Sequence, residues 1–253
     1  MKTYKTKEIK NIALMGNDGV GKTTLTESLL YESGIISRRG RITAKNTASD
    51  YFPVEQEYGY SVFATVFHTE YNGKKLNFID CPGSDDFCGA ALTALNVTDT
   101  TVIMLGQGGV EVGTQNHFRY TEKLQKPVIF LLNQLDDERF DYDVIMEQLR
   151  TTFGPKVVPV QYPLNQGPEF NSFIDVLVMK KYSWGPEGGK PVIEDIPESE
   201  MHKAFEMHKA LVEAAAEHDE NLMEKFFESE ELTEDEMREG IRKGLVARGI
   251  YPV

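Results

Sequence analysis

Cysteine, tryptophan and long apolar runs are all scarce in this chain. Its 253 residues include two cysteines and one tryptophan. Cys81 and Cys88 stand seven residues apart with no histidine close by, so neither a disulfide framework nor a metal cluster is indicated, and reduced thiols are expected. The opening MKTYKTKEIKNIALMG has an apolar stretch too short for a signal-peptide core or a membrane span, which leads to the expectation of a cytoplasmic protein with no membrane partner. An excess of basic charge is also absent. The net charge of −13 argues against unspecific nucleic-acid binding and against DNA as a partner. The acid sits in one segment: residues 194 to 239 hold 17 acidic and 4 basic residues, and the rest of the chain is balanced at 23 of each.

Apolar runs alternate with helical patterns along the chain. IKNIALM (residues 9–15) reads as a buried strand, and TTLTESLLYESG after it as a helix ended by Gly34. Residues 35–60 show no period and are expected to form a loop, functional or mobile. Its basic residues Arg38, Arg39, Arg41 and Lys45 read as a solvated face, with contact to RNA phosphates as the alternative. SVFATVFHTEY and KKLNFID are two strands joined at Asn72-Gly73, a tight-hairpin signal. FCGAALTAL, HFRYTEKLQ and YDVIMEQLRTTFG read as helices, TTVIMLG and PVIFLLN as strands. Such alternation predicts an α/β fold, a mostly parallel sheet with helices on both faces. Residues 157–193 look β-rich and the rest helical, with a helix start at Thr233 and Glu236. An inserted α+β subdomain is therefore expected over 157–253, after a nucleotide domain over 1–156.

GNDGVGKT, Gly16 to Thr23, matches the phosphate loop of P-loop NTPases and stands where its mechanism requires, between an apolar strand and a helix. Gly16, Asn17, Asp18, Gly19, Val20 and Gly21 would turn backbone amides towards phosphates at a helix N-terminus. Lys22 would reach the terminal phosphates, the Thr23 hydroxyl would bind Mg²⁺, and Thr24 would complete the loop. Asp80 ends an apolar strand, where it can hold the magnesium shell. Cys81, Pro82, Gly83 and Ser84 follow, with the Gly83 amide placed for a terminal phosphate. In Asn133, Gln134, Leu135 and Asp136 a carboxylate can accept two hydrogen bonds from guanine that adenine cannot offer. GTP or GDP with Mg²⁺ is the expected ligand, ahead of a P-loop kinase or ATPase reading.

Together these motifs resemble the GTP-binding domain of bacterial elongation factor G, a translational GTPase. The likeness extends to VEQEYGYSV, to GGVEVGTQ from Gly108 to Gln115, and to the helical insert IPESEMHKAFEMHKALVEAAAEHDENLMEKFFESEELTEDE. It implies a ribosome-dependent GTPase that promotes translocation, with the stalk protein and large-subunit RNA as partners. A ribosome-protecting or otherwise non-hydrolysing factor that works by occupancy is the alternative. The chain's end at GIYPV, before that family's last guanine-contacting loop, gives the expectation of a fragment of a longer chain.

Four positions depart from the family pattern. Ser84 stands where D-x-P-G-H has its water-orienting histidine, and Gln134 replaces the lysine of N-K-x-D. Tyr58-Gly59-Tyr60-Ser61 replaces R-G-I-T, which keeps a Mg²⁺-binding hydroxyl at Ser61 without the arginine. Gly19 replaces the phosphate loop's aspartate. Because catalysis in such enzymes is mostly positioning, reduced hydrolysis is the expectation, with Ser84 and Gly83 at the catalytic position.

Overall fold

Consecutive hydrophobic residues from Ile12 to Met15 give the chain its central strand. The computed structural model describes every residue except Met1, Glu187 and Glu230, the last of these from the acidic segment. By its contacts the chain divides into two units, one of residues 1–106 with 111–133, the other of residues 107–110 with 134–253.

The first unit runs β1 (Ile9–Gly16), α1 (Lys22–Glu32), α2 (Pro53–Tyr58), β2 (Thr65–Tyr71), β3 (Lys74–Asp80), α3 (Cys88–Val97), β4 (Thr100–Leu105), α4 (Val112–Lys123) and β5 (Val128–Leu132). The strand order is β2-β3-β1-β4-β5, and only the β2–β3 hairpin is antiparallel. Ala13, Leu14 and Met15 are all buried. Successive strand residues point to opposite faces, so both faces of the sheet are covered, as a parallel sheet requires. The chain leaves β1 for β3 on one side and returns to β4 on the other, which puts the carboxyl end of β1 at the topological switch point where α/β folds bind ligands.

The segment expected to be a loop over 35–60 contains α2 and a short 3-10 turn at Ile42–Ala44. The expected strand at SVFATVFHTEY begins only at Thr65. The reason is local: Glu55 Oε1 accepts the amides of Val62 and Phe63, 3.0 Å each, so these groups are not available to the β3 ladder. The fourth helix starts at Val112, five residues before the apolar period shows itself at His117.

The second unit holds α5 (Tyr142–Phe153), β6 (Val157–Val158), β7 (Gln161–Pro163), β8 (Ser172–Asp175), β9 (Lys180–Ser183), β10 (Val192–Glu194), α6 (Glu198–Ala216), α7 (Glu220–Ser229), α8 (Glu234–Ala247) and β11 (Tyr251–Pro252). Strands β7 to β10 form an antiparallel meander, and β11 pairs with β6 in parallel. Helices α7 and α8 pack on α6, with Leu211, Ala215 and Met237 buried. The helix start expected at Thr233 is a reciprocal cap, in which Thr233 Oγ1 accepts the Glu236 amide and Glu236 Oε2 accepts the Thr233 amide at 2.8 Å. Among the described residues no helix is long and apolar enough to cross a membrane.

His117 on α4 is buried at 2% exposure, meets Tyr120 edge-on at 6.2 Å, and its Nδ1 has no partner. Burial, aided by Lys22, lowers its pKa to about 4 from 6.5. The unfolded chain therefore takes up this proton first, and stability falls as pH drops from 6.5 towards 4. Between pH 7 and 5 the natural protein should lose roughly 1–2 kcal/mol more than His117→Phe, read from denaturant midpoints at the two pH values.

Candidate functional site

The turn from β1 into α1 requires a backbone that side chains resist. Gly21 caps α1 at φ 92°, and a Cβ there would lie 2.5 Å from Asn133 Nδ2. That amide instead donates to the Val20 carbonyl at 2.8 Å, tying the loop to the end of β5. Asp18 Oδ1 accepts the Gly19 amide at 3.0 Å, while Asn17 Nδ2 donates to Glu111 Oε2. Thr24, on the first turn of α1, is exposed.

Lys22 begins α1 and is 6% exposed. Its ammonium donates to the carbonyls of Gly16 (3.0 Å) and Asn17 (2.8 Å). Burial lowers its pKa, opposed by Asp80 and Asp18. The β1–β3 register sets Asp80 beside Leu14, and the Cys81 amide extends that pairing to the Leu14 carbonyl at 3.2 Å. Burial pushes the Asp80 carboxyl up to about 6, against the pull of Lys22. Cys81 is fully buried and its thiol is pushed up to about 12; both it and Cys88 are free.

Oxygen donors gather around Thr23. Its Oγ1 donates to Asp80 Oδ2 at 3.1 Å and lies 3.2 Å from Ser61 Oγ, which in turn donates to Asp50 Oδ1 at 2.7 Å. Asp80 Oδ1 and Asp50 Oδ2 are buried with no partner. Two hydroxyls and two carboxylates with orphaned oxygens are a donor set that suits a hard divalent cation such as Mg²⁺. Thr23, Ser61 and Asp80, expected from the sequence, are thus brought together. Asp50 was missed, because it lies in an aperiodic stretch eleven residues before Ser61 and carries no motif.

Gly83 lies hard against the phosphate loop: a Cβ would fall 2.6 Å from Lys22 Nζ, 2.7 Å from the Asp18 nitrogen and 2.8 Å from the Asn17 carbonyl carbon. Pro82 before it is buried. Ser84 uses its side chain locally, accepting the Asp86 amide at 3.4 Å as cap of the 3-10 turn Asp85–Phe87. Asn116 on α4 donates to Asp85 Oδ2 at 2.9 Å.

Asn133 closes the first unit, and the rest of its motif belongs to the second. There Gln134 adopts the left-handed φ of 63°, and its Oε1 accepts the Gln107 amide at 3.3 Å. Leu135 accepts the Gly167 amide at 2.7 Å. Asp136 is exposed.

This geometry is matched by known proteins. The family model described as the elongation factor Tu GTP binding domain matches residues 7–241. The chain belongs to that family. It is similar to an elongation factor G-like protein of Thermotoga maritima, 32% identical over 246 residues that cover 97% of this chain and 34% of the relative. A crystal structure of a Thermus thermophilus protein superposes with a TM-score of 0.90 at 33% identity, over 97% of this chain and 37% of that one. The chain thus spans about a third of the length of the curated relative. The expected P-loop α/β fold and the resemblance to the elongation factor G-type GTP domain both stand.

Gly83→Ala should be costly, since its methyl group meets backbone and a buried ammonium. Overpacking of this kind costs about 1–3 kcal/mol, so a thermal midpoint lower by about 2–10 °C is expected by calorimetry.

Proposed function

We propose that this chain is the GTP-binding and GTP-hydrolysing domain of an elongation factor G-like protein that acts on the ribosome in translation elongation, with slowed hydrolysis. The observation that carries the binding half is the convergence of the phosphate loop, Lys22, Thr23 and Asp80 at the end of β1. In this reading the amides from Gly16 to Thr24 and the Lys22 ammonium hold the β- and γ-phosphates. Thr23, Ser61, Asp80 and Asp50 would hold Mg²⁺, which when bound neutralises charge on the phosphate oxygens. Gly83 offers its amide to the terminal phosphate. Asp136, exposed and three residues after Asn133, is assigned to guanine.

Slow turnover is supported by Ser84. Its hydroxyl is a short group already engaged with the Asp86 amide, so it reaches an attacking water poorly, and positioning supplies much of the rate in this chemistry. The partners follow from the family: the ribosomal stalk for the acidic helices α6 to α8, and large-subunit RNA. The second reading, a factor that works by occupancy, is favoured by the same serine.

Single-turnover GTP hydrolysis, with and without ribosomes, tests the proposal. The natural chain should be slow, and Ser84→His should raise the ribosome-stimulated rate about a hundredfold, the low end of a general acid–base contribution. A natural rate already at the level of the histidine variant would overturn the slow-enzyme reading. No stimulation of either form would favour occupancy. Asp136→Asn should weaken GTP binding at least about tenfold relative to xanthosine triphosphate, because its Oδ1 can still accept the ring N–H of either base, while its Nδ2 donates to the 2-oxo group of xanthine but meets the guanine amino group donor to donor.

A further inference from the structure

Glu27 sits on α1 one turn beyond Thr23 and is 1% exposed. Residues four apart share a helix face, so Thr23 and Glu27 face the same way. While Thr23 meets Asp80 and Ser61, the Glu27 carboxylate accepts two amides from the segment between α1 and α2: Gly40 N at 2.7 Å on Oε2, and Ala48 N on Oε1. One side chain thereby closes the loop from Gly40 to Ala48. Gly40 fits because it has no side chain, since a Cβ there would lie 2.5 Å from the Asn46 carbonyl, 2.7 Å from Glu27 Oε2 and 2.8 Å from Thr47 Cα.

The loop's next residues are polar yet buried: Thr47, Ser49 and Asp50 are at most 7% exposed. They are held by the Thr65 hydroxyl donating to the Ser49 carbonyl at 3.0 Å and by Asp50 N meeting Thr47 Oγ1 at 3.4 Å. Asp50 is two residues from the Ala48 grip, a span of about 7 Å of chain, and its Oδ1 accepts from Ser61. Ser61 is fixed from the other side by Glu55, also 1% exposed, which takes the amides of Val62, Phe63 and, at 3.2 Å, Phe52.

We infer that Glu27 is a positioning residue for the cation side of the phosphate site. It touches neither nucleotide nor metal. It places the Gly40–Asp50 loop so that Asp50 and Ser61 face Thr23 and Asp80, and the affinity gained from Mg²⁺ depends on it. This rests on the GTP and Mg²⁺ reading given above.

The test measures binding of a non-hydrolysable GTP analogue to the full chain with Mg²⁺ and with EDTA. Glu27→Gln turns an amide donor against a backbone donor, and Gly40→Ala breaks the same grip from the loop side, so one variant reads if the other fails to fold. Leu30→Ala, also buried on α1, is the control for plain loss of stability. Both grip variants should keep the EDTA affinity within about twofold and lose about tenfold of the Mg²⁺ enhancement, the equivalent of one charge-assisted hydrogen bond. Trypsin cleavage at exposed Arg38, Arg39 and Arg41 should accelerate in the same variants, while Leu30→Ala keeps the Mg²⁺ enhancement. If the natural chain shows the enhancement and both variants match it, or if Leu30→Ala loses it equally, the positioning role is overturned while GTP binding stands. If the natural chain does not bind the analogue at all, the GTP reading fails and takes this role with it.

Discussion

Lys22 carries its ammonium into a place lined by the Gly16 and Asn17 carbonyls, with the Asp80 carboxyl close enough to stabilise the charge. Taking a cation out of water costs several kcal/mol unless such partners replace the water. The rest of the first unit is arranged around that requirement. β1 has to end at Gly16, α1 has to begin at Lys22, and the β1–β3 register has to deliver Asp80 beside the same turn. Asn133, at the end of β5, then holds the loop through Val20. A shift of one residue in the β1–β3 pairing would turn Asp80 to the other face of the sheet and leave the ammonium without its counter-charge.

A second layer of buried carboxylates organises the segment opposite. Glu27 and Glu55 are spent on backbone amides, not on metal or phosphate. Amides have little hydrogen-bonding alternative in an aperiodic stretch, and an unpaired buried N–H costs about 1–3 kcal/mol. The two glutamates therefore substitute for a ladder. This explains how residues that lack both helical and strand periodicity take up a fixed path, and why the strand after them starts late, at Thr65. Beyond them the rings of Tyr51, Phe52 and Phe63 meet in tilted contacts, with centroids 4.4 and 4.8 Å apart, which adds packing to a path set by hydrogen bonds.

Three of the four departures from the family pattern leave a polar side chain whose use the structure shows. Ser61 keeps a hydroxyl, which lies beside Thr23 and donates to Asp50. Ser84 and Gln134 are different, because each spends its side chain on a backbone amide, that of Asp86 and that of Gln107. Ser84 thereby acts as a local cap, as short polar groups often do, whereas Gln134 reaches a backbone amide 27 residues earlier in the chain.

Much of the fold could be read from the sequence, since period-two and continuous apolar runs depend on near neighbours alone. The strands at 9–16, 74–80, 100–105 and 128–132 emerged where the apolar runs lie, and the Thr233–Glu236 cap formed as its spacing implied. The phosphate loop, Asp80 and Asn133 were legible for the same reason: glycine, lysine and carboxylate at fixed spacing act through local backbone geometry. Asp50, Glu27, Glu55 and Glu111 were not legible. Each has a partner 7 to 94 positions away, and a carboxylate in a hydrophilic stretch looks the same in sequence whether it ends in solvent or in a buried amide cradle. What the sequence by itself determined is the order of elements and the chemistry available at the end of β1. Which carboxylates are buried, and which backbone they hold, was decided only by tertiary structure, because burial and long-range hydrogen bonds are properties of the packed chain.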